Sequence, residues 1–515
     1  MNKQRTYGIV LQYLQMGLNI VIMLVYTPIM LKMLGKNEYG IYNIANSTIT
    51  YLSFLSLGFG ASYIRFYSIR KKENDDFKIA KLNGLYLLVF LILGFIALVC
   101  GLILASNVRI FYNDTYSEDD IRIAKILMIF LSINLAWSFP ASVFSSYITA
   151  HEKFIFQKLL NMGKTVIGPV VNIILLYLGY NSIGMVITTT CVTFIIDLIN
   201  IFYCFSKLKM NISFKNPEFL LLKEIFFFSI IIGINQIIDQ INWQTDKLIL
   251  GKIIDGSAVA VYTVGANINN MFTTLSTAVS NVFSPKINQI VQSNINFEEK
   301  NKKLNNIFVK VGRIQFLILS LVLTGFIFFG KFFIQKWAGE GYDNSYYVAL
   351  LLMIPAIVPL IQNIGIEIQR ARNKHQFRSI VYLIMAIINV GISIGFVYLW
   401  GEIGAALGTT ISLIVANGII MNIYYQKKLN INIVDFWYNI FTIIPGMIIP
   451  VLFGIFLMIF YEFHNLFDFS LFIILYVIIY CFSLWFFGMN HEEKKMVKNI
   501  MSKFLQRKEK NNVEG

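Results

Sequence analysis

Residues 83–105 read NGLYLLVFLILGFIALVCGLILA, a stretch without one charged side chain. At 1.5 Å per helical residue it reaches about 34 Å, enough to cross roughly 30 Å of hydrocarbon. Runs of the same kind recur near 8–32, 40–64, 123–149, 162–178, 185–206, 224–250, 257–283, 313–334, 347–369, 379–399, 404–425, 438–460 and 469–488. They are continuous rather than alternating at every second residue, so their backbone groups are satisfied inside helices and not in a barrel. The expectation is an all-α polytopic membrane protein with about 14 transmembrane helices.

Composition points the same way. With 57% hydrophobic and 14% charged residues among 515, and a mean hydropathy of +0.64, the chain cannot hide its apolar surface in one soluble core. Lys3 and Arg5 precede an apolar run that continues to Leu31 without a small-residue cleavage site, which fits a retained first span better than a signal peptide. The net charge of +15 is read as loops facing anionic headgroups, not as nucleic-acid binding. With a cytoplasmic N-terminus, about 34 of the 43 Lys and Arg residues fall on the cytoplasmic side, so both termini are expected there.

Several chemistries find no support. Cys100, Cys191, Cys204 and Cys481 are far apart and suggest no disulfide framework. His151, His375, His464 and His491 form neither an HExxH motif nor a Cys/His cluster, so no metal site is expected. Gly163-Lys164-Thr165 resembles the end of a phosphate loop, but Lys158 occupies the place of the first glycine and the backbone cradle cannot form. No nucleophile elbow or Ser/His/Asp arrangement is present. The expectation is a transporter rather than an enzyme, without cofactors and driven by a sodium or proton gradient or by coupling to other steps.

The chain repeats itself. Gly35-Lys36-Asn37-Glu38-Tyr39-Gly40-Ile41-Tyr42 and Asp255-Gly256-Ser257-Ala258-Val259-Ala260-Val261-Tyr262 open spans two and eight, about 220 residues apart. The same offset carries Ile183-Gly184-Met185-Val186-Ile187-Thr188-Thr189-Thr190 onto Ile403-Gly404-Ala405-Ala406-Leu407-Gly408-Thr409-Thr410. Six spans separate equivalent positions, so the halves share one orientation, as in parallel-repeat transporters. The expected organisation is an N-terminal six-helix lobe at 1–210, a C-terminal six-helix lobe at 211–428, appended helices 13 and 14 at 429–490, and a basic cytoplasmic tail at 491–515. The two lobes are expected to enclose a central cavity.

Span seven is the most informative helix. Asn235, Asp239, Asn242 and Asp246 recur at i, i+4, i+7 and i+11 and share one face, which Gln236, Gln240, Gln244 and Lys247 widen. Such a face is expected to border water or another polar surface at membrane depth. Span one adds Gln12, Gln15 and Asn19, span two adds Asn43, Asn46, Ser47, Thr50 and Ser53, and span eight adds Asn267, Asn270, Thr274, Thr277 and Asn281. The expected substrate or cavity residues are Arg65, Asn46, Thr50, Asn235, Asp239, Asn242, Asp246, Lys247, Asn270 and Thr274, with Asp239 as a cation or proton site. The alternative is that these polar groups pair with neighbouring helices, that Asp246 and Lys247 snorkel to the outer interface, and that Arg65 is a cytoplasmic anchor.

The segments from Gly17-Leu18-Asn19 to Pro28, Leu34 to Tyr42, Leu57-Gly58-Phe59-Gly60-Ala61-Ser62 with Arg65, and Asp246-Lys247-Leu248-Ile249-Leu250-Gly251 resemble polysaccharide exporters of the MOP superfamily, the Wzx-like flippases. Ala150-His151-Glu152-Lys153-Phe154 and Arg370-Ala371-Arg372-Asn373-Lys374 are similar to that family's cytoplasmic links between spans four and five and between ten and eleven. The resemblance implies two six-helix lobes working by alternating access in a bacterial cell membrane. Its implied substrate is an undecaprenyl-diphosphate-linked oligosaccharide, flipped from the cytoplasmic to the outer leaflet for surface polysaccharide biosynthesis. A polysaccharide polymerase and a chain-length regulator are the implied partners. The competing expectations are a cation-coupled multidrug exporter of the same superfamily, a lipid II flippase and a membrane glycan polymerase. Span one carries no basic residue between Arg5 and Lys32, which disfavours lipid II, and the outer connection at Ser106 to Arg122 is short for a polymerase.

Overall fold

The computed structural model describes residues 3–56, 58–215, 219–499 and 502. Sixteen α-helices follow in order: α1 Lys3–Tyr51, α2 Phe59–Lys72, α3 Asp76–Ser106, α4 Glu118–Ala150, α5 Phe154–Tyr177, α6 Asn181–Ser206, α7 Phe219–Ile253 and α8 Gly256–Gln292. They continue as α9 Phe297–Trp337, α10 Asn344–Ile361, α11 Asn363–Ala371, α12 Gln376–Leu413, α13 Asn422–Lys428, α14 Ile433–Phe441, α15 Ile444–Phe460 and α16 Leu466–Phe487. No strand occurs among the described residues, and the all-α expectation is met.

The packing of α3 shows why lipid belongs to the solvent. Gly94, Ala97, Gly101 and Ala105 are buried, while Leu91, Ile92, Phe95, Val99, Leu102 and Ile103 are exposed. Small residues inward and large apolar residues outward is the arrangement of a membrane helix, whose partners approach through the small side chains. A methyl group on Gly94 would lie 2.5 Å from the Ala136 carbonyl oxygen of α4, so glycine is what permits this contact.

Nine helical stretches and one bent pair among the described residues are long and apolar enough to cross a membrane. Two of them, Leu11–Lys72 and Gln376–Lys428, are longer than one crossing and hold internal breaks. In addition α7 and α8 have 35 and 37 residues, more than a crossing requires. This set is consistent with fourteen spans.

Glycines set the breaks. Gly35 at φ 71° turns α1 between the first two expected spans, and Gly401 at φ 58° turns α12 between the eleventh and twelfth. The second span, expected as one helix over 40–64, is interrupted: α1 ends at Tyr51, a 3-10 turn covers Leu52–Ser56, and Gly58 at φ 71° starts α2. The tenth span is likewise divided at Gln362 into α10 and α11. The thirteenth bends by 43° between α14 and α15, where Pro445 supplies no backbone N–H to a continuing helix.

Left-handed residues recur at the spacing of the sequence repeat. Glu152 pairs with Asn373, Lys209 with Asn430, and Asn181 with Gly401, every member at φ between 48° and 58°. Around the first pair the hydrogen bonds also correspond: Lys153 N donates to Ile148 O at 3.2 Å, and Lys374 N donates to Gln369 O at 2.8 Å. Both are helix C-terminal turns closed by a residue in the left-handed region.

The chain divides into two compact units, one holding 1–267, 337–348 and 379–412, the other 268–336, 349–378 and 413–515. In the first, Tyr63, Tyr86, Phe90, Phe139 and Tyr147 form an aromatic core. Two of its hydroxyls are paired, with Tyr63 donating to Asn83 at 2.6 Å and Ser62 meeting Tyr86 at 2.8 Å. In the second, Phe329, Phe469, Tyr476 and Tyr480 pack between α9, α15 and α16. Arg313, 3% exposed, fastens that unit through a two-pronged ion pair with Glu493 at 2.7 and 3.0 Å. Its remaining donors reach Asn439 O, Thr442 Oγ1 and Gly488 O.

Candidate functional site

Two faces of α7 carry different polar chemistry. On the first, Gln236, Gln240 and Gln244 recur every four residues and meet the second half of α1 and the turn after it. Ser47 Oγ donates to Gln244 Oε1 at 2.8 Å, Gln240 Nε2 donates to Ser53 Oγ at 3.3 Å, and Ser56 Oγ donates to Gln236 Oε1 at 3.4 Å. Tyr51 and Thr245 also share a hydroxyl contact. This face is therefore a hydrogen-bonded ladder between helices, the structural alternative that the sequence left open for such residues.

The second face leads to Asp246, which is 2% exposed. Its Oδ2 accepts from the Tyr262 hydroxyl of α8 at 2.6 Å and from the Thr409 hydroxyl of α12 at 2.8 Å. Its Oδ1 is buried and meets no hydrogen-bond partner among the described residues. A second layer supports Thr409: Asn389 Nδ2 donates to Thr409 Oγ1 at 3.2 Å, and Ser393 Oγ donates to Asn389 Oδ1 at 3.3 Å. Tyr262, Asn389, Ser393 and Thr409 are all buried. A carboxylate carried this deep is costly, and its two hydroxyl partners suit a proton or a hard monovalent cation.

Close backbone contacts fix this arrangement. A methyl group on Gly40 would come within 1.8 Å of the Gly256 carbonyl oxygen, so the two repeated motifs that open spans two and eight meet backbone to backbone. A methyl group on Gly251 would lie 2.5 Å from Ile44 Cδ1, so α7 also lies close on α1. In α12, a methyl group on Gly408 would lie 2.4 Å from Ser393 Oγ, which brings the two halves of that helix together beside Thr409.

The other expected site residues are spread more widely. Lys247 is half-buried, with Nζ 3.5 Å from Gln244 Oε1. Asp239 is exposed and Asn242 half-buried, so neither joins Asp246 in its buried cluster. Asn46 and Thr50 are half-buried on α1. Arg65 is exposed on α2, its guanidinium 4.3 Å from the centre of the Phe228 ring of α7, a cation–π contact. Asn270 and Thr274 lie further along α8, in the second compact unit, where the Thr274 hydroxyl returns to Asn270 O at 2.7 Å. The side chains of Asn235 and Asn281, and the tail at 500–501 and 503–515, lie outside the described residues.

Four residues of the buried cluster escaped the sequence reading: Tyr262, Asn389, Ser393 and Thr409. A signal existed for two of them, because Tyr262 and Thr409 sit inside the repeated segments 255–262 and 403–410.

A family model described as "Polysaccharide biosynthesis protein" matches residues 3–291. A Shigella flexneri protein described as "Putative O-antigen transporter" is 21% identical over 390 residues, covering 74% of this chain and 88% of that protein. Among solved structures, a lipid II flippase, MurJ, in an inward closed conformation is similar with a TM-score of 0.72 at 17% identity, covering 93% of this chain and 98% of that one. An inward-facing multidrug resistance MATE transporter of the MOP superfamily is similar with a TM-score of 0.61 at 15% identity, covering 78% of this chain and 92% of that one.

Proposed function

Because the chain belongs to the polysaccharide biosynthesis protein family and has the fold of MOP-superfamily transporters, we propose that it flips a lipid-linked oligosaccharide from the cytoplasmic to the outer leaflet by alternating access. The substrate would be a polyprenyl-diphosphate-linked repeat unit of a surface polysaccharide, with its lipid tail left in the bilayer. The family match and the O-antigen transporter relative support this choice of substrate class. The MATE likeness spans 78% of the chain against 93% for the lipid II flippase, which favours a lipid-linked cargo over a drug.

The observation that carries the mechanism is the Asp246 cluster. A diphosphate with sugars attached faces a large barrier in hydrocarbon, so a polar path must replace its water and something must bias its direction. In our reading the ion is bound or released at Asp246, with Tyr262 and Thr409 as hydroxyl partners. Asp239, Asn242 and Lys247 on α7 and Arg65 on α2 provide polar contacts for the substrate. A sodium or proton gradient would bias the two access states only through its differential affinity for them.

The reading is tested in cells lacking this protein. Surface glycan should disappear, lipid-linked repeat units should accumulate, and the intact chain should restore export. Restored drug tolerance without any glycan phenotype would instead favour multidrug export.

A further inference from the structure

A polar concavity of about 420 Å³ lies where the end of α2 meets the turn between α4 and α5. Tyr67, Ser68, Lys71 and Lys72 form one wall, and His151, Glu152 and Lys153 the other. The wall is rigid at its centre. His151 contacts Tyr147 O through Nδ1 at 2.9 Å and the Tyr67 hydroxyl through Nε2, also at 2.9 Å, so both ring nitrogens are occupied. Its ring packs against both tyrosines, with centroids 4.2 and 5.2 Å away.

The lysines here differ from their neighbours. Arg70 and Lys78 engage Glu73 at 3.4 and 2.9 Å, and Asp75 caps α3 through the backbone N–H groups of Phe77 and Lys78. Glu73 and Asp75 are thus committed elsewhere, and Glu152 brings a carboxylate into the pocket against the three lysines. Lys71, Lys72 and Lys153 have no ion-pair partner among the described residues, and they converge on one concavity from two separate elements. Lys72 also begins a polar stripe with Ser68 and Arg65, at i, i−4 and i−7 of α2, running from the pocket along the helix.

We propose that this concavity is a docking site for a diphosphate group, in which Lys71, Lys72 and Lys153 form charge-assisted hydrogen bonds to its oxygens before it passes along the Ser68 and Arg65 stripe. The choice of a diphosphate over other anions rests on the flippase reading. The existence of an anion site at these lysines does not.

The test uses the full chain in nanodiscs of neutral lipid, titrated with inorganic pyrophosphate and separately with farnesyl diphosphate. Lys71→Gln combined with Lys153→Gln should weaken binding of both at least about tenfold, whereas the Lys→Arg pair and Lys78→Gln should bind like the parent. Thermal midpoints within about 2 °C of the parent would confirm that the surface substitutions leave the fold intact. Competition between the two probes locates recognition in the diphosphate itself. Pyrophosphate binding that farnesyl diphosphate cannot displace would overturn substrate docking, and unchanged binding in the Gln pair would overturn the site altogether. Export that fails to depend on Asp246 would sink the transport mechanism yet leave this binding result standing, so the two failures are separable.

Discussion

Tyr262 donates its hydroxyl hydrogen to Asp246 Oδ2 at 2.6 Å, although 16 residues and a helix break separate them, and both side chains are buried. The contact joins the end of α7 to the start of α8, and Thr409 adds the same carboxylate to α12. Tyr262→Phe should therefore leave the fold in place, remove one of two donors to Oδ2, and shift the gradient dependence of export. A binding isotherm for the coupling ion, measured on Tyr262→Phe and the parent, checks this: about three- to thirtyfold weaker ion affinity is expected, and equal affinity would detach Tyr262 from the site.

Gly40→Ala should be among the most damaging single-methyl changes in the chain, because its methyl group would stand 1.8 Å from the Gly256 carbonyl oxygen and neither backbone can yield cheaply. Overpacking of this kind costs about 1–3 kcal/mol or more. Gly163→Ala in α5 meets nothing within 4 Å and should be neutral or slightly stabilising. Folded yield and thermal midpoint in detergent distinguish the two. A Gly40→Ala protein as stable as Gly163→Ala would refute the close approach.

Arg313→Ala leaves Glu493 buried without its partner and should cost about 3–5 kcal/mol, whereas replacing both with Met and Leu should cost far less. Thermal unfolding of Arg313→Ala and of the double variant measures the difference. Equal losses in both would mean that packing, not the ion pair, is at stake.

His151 supplies a pH signature outside the membrane spans. Burial, followed by the neighbouring Lys71 and Lys153, holds its pKa below the ordinary histidine value, against the backbone acceptor Tyr147 O. The unfolded chain then takes up its proton first as pH falls below about 6.5. Stability from this group is complete above that pH and declines as pH falls toward the lowered folded value. His151→Gln should flatten the thermal midpoint between pH 7 and 5, and an unchanged slope would remove His151 as its source.

Arg65→Ala should reduce export without lowering membrane abundance, and Arg65→Lys should recover part of it, because lysine keeps the charge but not the planar stacking on Phe228. Surface glycan per unit of protein is the readout. Normal export by Arg65→Ala would return this residue to the role of a helix-end anchor.

How far the sequence could be read depended on the kind of physics involved. The run at 83–105 reveals a crossing because length and apolarity alone decide it. Gly58 does not reveal its break, because glycine permits a left-handed turn without requiring one. On α7 the period of 3.6 puts Asp239 and Asp246 on one face, but periodicity carries no depth: one is exposed and the other buried. Thr409 and Asn389 could not be found this way, since they come to Asp246 from a helix more than 130 residues downstream. The glutamines widen a face expected to border water or another polar surface, and they pair with Ser47, Ser53 and Ser56; the sequence does not choose between the two, because an amide at membrane depth is satisfied equally by water or by a neighbouring hydroxyl.

The most direct test is flipping of a fluorescent polyprenyl-diphosphate oligosaccharide by purified protein in sealed vesicles, under imposed sodium and proton gradients in turn. The account predicts that one gradient accelerates the parent protein and that Asp246→Asn, folded and equally abundant, loses at least about tenfold of that acceleration. Gradient-driven flipping by Asp246→Asn at the parent rate would contradict it.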